Sequence, residues 1–257
     1  MDQRLRGAVR RILPPPVRRL IRAVWGVDFA KKSYSQEGED RILFSLFDLN
    51  NNRERKGFYV DIGAHHPERI SNTHLLYRRG WTGINVDPFP GGMKLFKKKR
   101  PRDTNLEVGI SARRQMLKYY IFNEPVFNGF SEDVAKKADG FRGVKLLSSL
   151  EIETMPLSEL LDKHLPAGRP IDFLNIDVEG LDLEVLQSND WARYRPAVVA
   201  VEDGEFMSLA DGNATEIMKF MGGVGYAPYC KTPLTTFYAQ TSEVKRGPAG
   251  VMLQNYG

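Results

Sequence analysis

Apolar residues along this chain alternate between short β-forming runs and helically spaced stretches. Phe58, Tyr59, Val60 and Ile62 form a strand-like run broken by Asp61, the small residues Gly63 and Ala64 follow, and helical spacing takes over across 69–77. The same reading predicts a helix over 36–49 capped by Ser35, a buried strand over 82–86, a short basic helix over 93–99, and strands over 104–110 and 115–122, the latter antiparallel. A loop or lid follows over 123–143. Beyond it the pattern gives a strand over 146–154, a helix over 157–164, a strand over 171–176, a helix over 181–186, a strand over 197–201, a helix over 214–221, and a hairpin over 226–231 and 235–240. Strands alternating with helices predict an α/β fold with a mostly parallel sheet, helices on both faces and a C-terminal hairpin.

In such a fold the turn after the first strand is where a ligand lies against bare backbone. Here the turn offers a single glycine-like step, Gly63-Ala64, where a dinucleotide fold needs G-x-G-x-x-G, and bulk occupies the third glycine position. That argues against a pyrophosphate and against a nucleotide-dependent dehydrogenase. It suits a nucleoside carrying an amino acid. Asp87, at the end of the 82–86 strand, stands where a carboxylate usually holds ribose hydroxyls; its other reading is a cap for the turn made by Pro88 and Pro90.

From Tyr34 to Glu202 the chain resembles an FkbM-type, S-adenosyl-L-methionine-dependent methyltransferase. The matching pieces are YSQEGED at 34–40, YVDIGAHHP, SNTHLLYRRGWTGINVDP, RPRDTNLEVGIS, NEPVFNGFS, IDFLNIDVEGLDLEVL and RPAVVAVE, in order. The resemblance implies a class I, Rossmann-like fold with a seven-stranded sheet, the methionine part of the cofactor over the turn of Asp61, Gly63 and Ala64, and its ribose at Asp87. It implies methyl transfer to oxygen on a sugar, a polysaccharide or a glycosylated natural product. Where the family often has Asn after the glycine-alanine step, this chain has His65 and His66. Gly109 and Ile110 are expected to border the adenine, and Ser35 and Gln36 to reach the methionine carboxylate.

Composition narrows the setting. The 257 residues, 42% hydrophobic, suffice for one α/β domain, and the lone Cys230 excludes an internal disulfide. No apolar run reaches the length of about eighteen residues that spans a bilayer. The expected location is cytoplasmic. Residues 1–32 hold nine basic and two acidic residues, a surplus above the whole chain's +5, so residues 33–257 carry a net −2. This leader, divided by Pro14, Pro15 and Pro16, reads as two basic amphipathic helices able to lie on an anionic membrane. A solvated arm, or a helix packed on the domain or on a second subunit of a homo-oligomer, is its other reading. The triple proline argues against a secretory signal. The mildly acidic remainder argues against a nucleic-acid partner.

A sugar hydroxyl must lose its proton or meet a cation before it attacks. Asp177 follows one apolar strand, and Glu202 and Asp203 follow the next; these three would suit Mg2+. Asp177 is also a candidate catalytic residue in its own right. His66, in the cofactor turn, is the second candidate base. Glu179 reads as a helix cap, and Phe127 and Phe130 as either lid or buried staple. A catalytically inactive scaffold in a glycan-assembly complex would keep the fold and lose the cofactor.

Overall fold

The structure, a computed structural model, describes residues 31–203 and 214–241, with Pro14 and Val17 besides. The basic arm read at 1–32 otherwise lies outside the described residues. The described residues from Tyr34 onward make one compact unit. Its described elements are α1 (Glu39–Leu46), β1 (Phe58–Ile62), α2 (His74–Arg78), β2 (Thr82–Val86), α3 (Met93–Lys99), β3 (Thr104–Leu106), β4 (Gly109–Ile110), β5 (Gln115–Phe122), α4 (Glu132–Ala138), β6 (Leu146–Met155), α5 (Leu157–His164), β7 (Phe173–Ile176), α6 (Asp182–Gln187), β8 (Val198–Glu202), α7 (Glu216–Gly223), β9 (Tyr226–Lys231) and β10 (Thr235–Gln240).

Seven strands form the main sheet in the order β3-β2-β1-β7-β8-β10-β9. The first five are parallel, and β10 runs antiparallel to both β8 and β9. The chain moves outward from β1 to β3 and then returns to place β7 beside β1. Strand order therefore reverses between β1 and β7, where an open α/β sheet leaves a crevice beyond its carboxyl ends. The sheet is thus mainly parallel and mixed at its C-terminal end, with the hairpin expected from the sequence.

Alternation along the strands feeds two cores. Val60, Ile62, Leu174, Ile176, Val199 and Val201 pack with Leu157, Leu160 and Leu161 of α5 and with Val185 and Leu186 of α6. On the opposite face Tyr59, Phe173, Val198 and Ala200 meet Leu43, Phe44 and Phe47 of the α1 region, and Leu76, Tyr77 and Trp81. Every residue of β1 and β7 is buried, which is why these strands read as apolar runs, each interrupted once (Asp61, Asn175), rather than as an alternating pattern.

The structure departs from the sequence expectations at several points. The strand expected over 104–110 is broken: Thr104–Leu106 stays on β2, while Gly109–Ile110 leaves to pair parallel with β6 in a separate sheet of order β4-β6-β5. The apolar pattern runs through the break because both halves are paired, and pattern does not report the change of partner. β5 pairs antiparallel with β6, as expected. The 123–143 stretch contains a 3₁₀ turn at Pro125–Phe127 and α4, whose Ser131 cap accepts from the Val134 N–H. Ser35 does not cap α1. Gly38 occupies that position in left-handed backbone, and Ser35 instead exchanges two 3.2 Å hydrogen bonds with Asp40. Among the described residues, no helix is long and apolar enough to cross a membrane.

Candidate cofactor and active site

A cavity of about 320 Å3 opens at the strand-order reversal, walled by the ends of β1, β2 and β7, by Ile110 of β4, and by the segment from Pro125 to Phe130. Gly63 closes its floor. A Cβ at this position would stand 1.7 Å from the Asp177 carbonyl oxygen, and φ is +80°. The sequence assigns this glycine to ligand approach; its demonstrable service is to let the ends of β1 and β7 touch. The turn is pinned further by the Gly63 and Ala64 N–H groups, which donate to the Val86 carbonyl at 2.9 and 3.0 Å.

The expected cofactor residues separate into two groups. Gln36, Gly63, Asp87 and Ile110 line the cavity, whereas Ser35, Asp61, Ala64 and Gly109 do not. Ala64 packs with Met93 and Phe96. Gly109 makes room for the Phe130 ring, which a Cβ would approach to 2.7 Å. The Asp61 carboxylate turns into the protein, accepting from Thr73 Oγ1 at 2.5 Å and Asn175 Nδ2 at 3.0 Å. Burial raises its pKa, against the pull of Thr73 and of the Arg100 charge. Fully buried, Arg100 donates to Thr73 Oγ1, Asn85 Oδ1, Ser71 Oγ and the Pro67 carbonyl. This network ties the 67–73 loop to the sheet. Its signal in the sequence is an asparagine inside each of two buried runs, Asn85 in GINVDP and Asn175 in DFLNID, because a buried amide demands a partner.

Asp87 fills the turn role considered for it and also faces the cavity, where a ribose carboxylate was expected. Its carboxylate accepts from the His65 N–H and the Phe89 N–H, each at 2.9 Å, so it shapes the turn, and it also lines the cavity. Burial raises its pKa. A carboxylate has about four lone-pair sites, so capacity remains for ribose hydroxyls. Because each carboxylate oxygen takes one of these N–H groups, Asp87→Asn keeps one bond and sets its amide NH2 against the other N–H. We expect cofactor affinity to fall about tenfold or more, the worth of a charged hydrogen bond of roughly 1.5–3 kcal/mol, with the unfolding midpoint lowered as well. Titration calorimetry and thermal unfolding check the pair; unchanged affinity would remove Asp87 from the site.

His66 lines the cavity, but its Nδ1 accepts from the Glu68 N–H at 3.1 Å and the Arg69 N–H at 3.0 Å. Burial and the neighbouring His65 and Arg69 lower its pKa. With Nδ1 occupied as an acceptor, the neutral ring carries its proton on Nε2 and faces outward as a donor. That geometry does not suit the base expected from sequence. Pro67 does constrain the local backbone, but the result is a turn that consumes the ring's lone pair.

The acidic residues converge more closely than expected, with one exchange. Oxygen atoms of Asp177, Glu179 and Glu202 lie within 4.8 Å of one another. Asp203 is absent from the group, because successive side chains at the end of β8 point to opposite faces, and its carboxylate accepts from Thr215 Oγ1 at 2.8 Å. Glu179 stands in its place. Glu179 does not cap α6, whose N-cap Leu181 makes no side-chain cap bond; Asp182 instead holds the loop before the helix, accepting from the Val178 and Gly180 N–H groups, each at 3.1 Å. Burial, then Glu202, pushes Glu179 up to about 8 and Asp182 up to about 7. Asp177 is raised well above the ordinary carboxylate range by burial and then by Glu202, with which it shares a hydrogen bond.

Phe130 and Phe127 divide the two readings of the lid. Phe130 lines the cavity and tilts against Tyr119 at 4.9 Å between centroids, while Phe127 packs into the separate cluster under α4. The segment is fastened to β5 by the Tyr120–Gly129 bridge and by Asn128 Oδ1, which accepts from the Phe122 N–H at 2.8 Å.

Backbone strain also concentrates here. Among the described residues five non-glycines have positive φ, and three of them, His65, Ile70 and Glu179, line the cavity. Strained backbone persists where the surroundings over-determine it, characteristically at sites of function. The lining chemistry fits S-adenosylmethionine: aliphatic and aromatic side chains (Val86, Val108, Ile110, Phe89) for adenine, Asp87 for ribose, and carboxylates facing the end that must take a sulfonium and an ammonium.

A family model described as "Methyltransferase FkbM domain" matches residues 61–228. Among solved structures, a TehB-like SAM-dependent methyltransferase from Corynebacterium glutamicum aligns at 13% identity over 88% of this chain and 95% of that one, with a TM-score of 0.38. The N-terminal domain of human METTL16 aligns at 13% identity over 86% of this chain and 78% of that one, with a TM-score of 0.39. No curated protein sequence matches. The family match spans well over half of the chain, from the end of β1 through β2, β7 and β8, and the chain belongs to the FkbM family of S-adenosylmethionine-dependent methyltransferases.

Proposed function

We propose that this protein methylates a hydroxyl of a sugar in a surface polysaccharide or a glycosylated natural product. The observation that carries this reading is the position of Asp177, which lines the cofactor cavity and also an adjoining polar recess of about 20 Å3. Glu202 lines the recess as well. A hydroxyl entering from there meets a buried carboxyl pair whose pKa values are raised by burial, which strengthens the pair as a proton acceptor.

When bound, S-adenosylmethionine supplies an electrophilic methyl on a sulfonium, whose sulfur keeps the bonding electrons and leaves as a neutral thioether. The chain's own task is to align the hydroxyl oxygen, exclude water and take up the hydroxyl proton on the Asp177–Glu202 pair. Asp177, Glu179 and Glu202 present three hard oxygen donors to the same space, so the site has the donor set for a divalent cation such as Mg2+, which would lower the pKa of a bound hydroxyl. In the proposed setting the protein is cytoplasmic, with the basic arm at 1–32 holding it to an anionic membrane surface.

The test is mass spectrometry of surface glycans from the producing cell with and without the protein. Loss of a single methyl from a glycan supports the reading; identical glycan profiles reject the polysaccharide substrate.

A further inference from the structure

Ile70 combines three properties that folding alone does not explain. Its φ is +47°, a left-handed conformation in which a β-branched residue is a genuine outlier. Its side chain is 41% exposed, so core packing does not account for an aliphatic residue there. It lines both the cofactor cavity and the polar recess, sharing that position with Gln36 and Asp177.

The strained conformation is imposed from both sides. Upstream, His66 Nδ1 accepts the Arg69 N–H, and Arg100 holds the Pro67 carbonyl at 2.8 Å. Downstream, the Ser71 N–H donates to the Tyr34 carbonyl at 3.0 Å while Ser71 Oγ accepts from Arg100 at 2.7 Å. A buried cation and four hydrogen bonds thus present one exposed aliphatic side chain where the two spaces meet. Asparagine or glycine would suit that backbone better, so the sequence retains isoleucine against local preference.

We propose that the recess admits one acceptor hydroxyl and that Ile70, exposed beside it, is the surface against which the rest of the acceptor ring packs, selecting a neutral, saturated ring that carries hydroxyls. One C–H face of such a ring lies on Ile70, while the hydroxyl that enters the recess donates to Asp177 or Glu202. Anionic rings are disfavoured by those same carboxylates. This inference rests on the sugar-methylation reading and adds to it the residue and the charge class that set specificity.

The experiment uses the full chain, S-adenosylmethionine and a panel of methyl glycosides of neutral hexoses, 6-deoxyhexoses and hexuronic acids, with products read as methyl additions by mass spectrometry. We expect wild type to methylate at least one neutral glycoside in preference to its uronic counterpart. Ile70→Asn should raise KM for that glycoside about tenfold or more, a larger change than in its affinity for S-adenosylmethionine, and raise the unfolding midpoint by about 2–4 °C through relief of strain. An unchanged KM in the folded variant overturns the role of Ile70. A wild type that binds S-adenosylmethionine but prefers the uronic acids, or methylates no glycoside, overturns the substrate class. A wild type that binds no S-adenosylmethionine overturns the underlying methyltransferase reading instead.

Discussion

Asp177→Asn is expected to bind S-adenosylmethionine nearly as well as wild type and to turn over about 10²–10⁴-fold more slowly, the usual worth of a positioned general base. The substitution keeps the shape of the side chain at the carboxyl end of β7 and removes the charge that can hold the hydroxyl proton. Folding should not suffer. Burial and Glu202 raise the Asp177 pKa, so the folded chain binds this proton more tightly than the unfolded chain does, and wild type loses stability as pH climbs above the ordinary carboxylate range. Removing the charge relieves that cost, and the unfolding midpoint of Asp177→Asn at pH 8 should equal or exceed that of wild type. The wild-type rate should rise with pH as the Asp177–Glu202 pair gives up its shared proton, and the variant should lose that rise. Chelation of wild type should reproduce the loss only if a cation at Asp177, Glu179 and Glu202 takes part. Normal turnover in the folded variant would show that the base lies elsewhere.

Among the described glycines, Gly63→Ala should be the most damaging alanine substitution. It places a methyl 1.7 Å from the Asp177 carbonyl and puts a non-glycine at φ +80°. The left-handed backbone alone costs about 1–2 kcal/mol. The clash adds to it, because the contacting atom is backbone of a central strand and cannot swing aside. A total loss above about 2 kcal/mol would lower the unfolding midpoint by at least about 5 °C. Gly168→Ala separates the two causes, since Gly168 also has positive φ (+69°) but nothing within 4 Å of the added methyl. It should show the backbone cost alone. If the two variants unfold at the same temperature, the close approach of β1 and β7 at Gly63 is not what the glycine serves.

The contrast between these two positions shows what the sequence made legible. Strands β1, β2 and β7 were readable because burial on both faces demands mostly apolar runs, each carrying one buried polar residue (Asp61, Asn85, Asn175), and Asp87 and Asp177 were readable because each follows such a run. Asp177 and Glu202 could be paired from sequence, since the ends of β7 and β8 are neighbours in a parallel sheet. Asp203 was misassigned to that pair for want of strand register: a one-residue step moves a side chain to the other face. His66 was misassigned for a local reason, because the hydrogen bonds that consume its Nδ1 come from the turn it begins. Arg100 escaped notice altogether. In sequence it ends a run of exposed lysines, and only its position between Asn85, Thr73 and the Pro67 carbonyl makes it the anchor of the cavity's rim. Ile70 was equally silent, for φ is not written in the residue type.

The central claim is that the cavity at the β1–β7 reversal binds S-adenosylmethionine, and titration calorimetry on the full chain tests it most directly. The account predicts saturable 1:1 binding of S-adenosylmethionine, weakened about tenfold or more in Asp87→Asn, and no heat from a nicotinamide dinucleotide. A folded wild type that binds no S-adenosylmethionine would contradict it and leave a cofactor-free scaffold in its place.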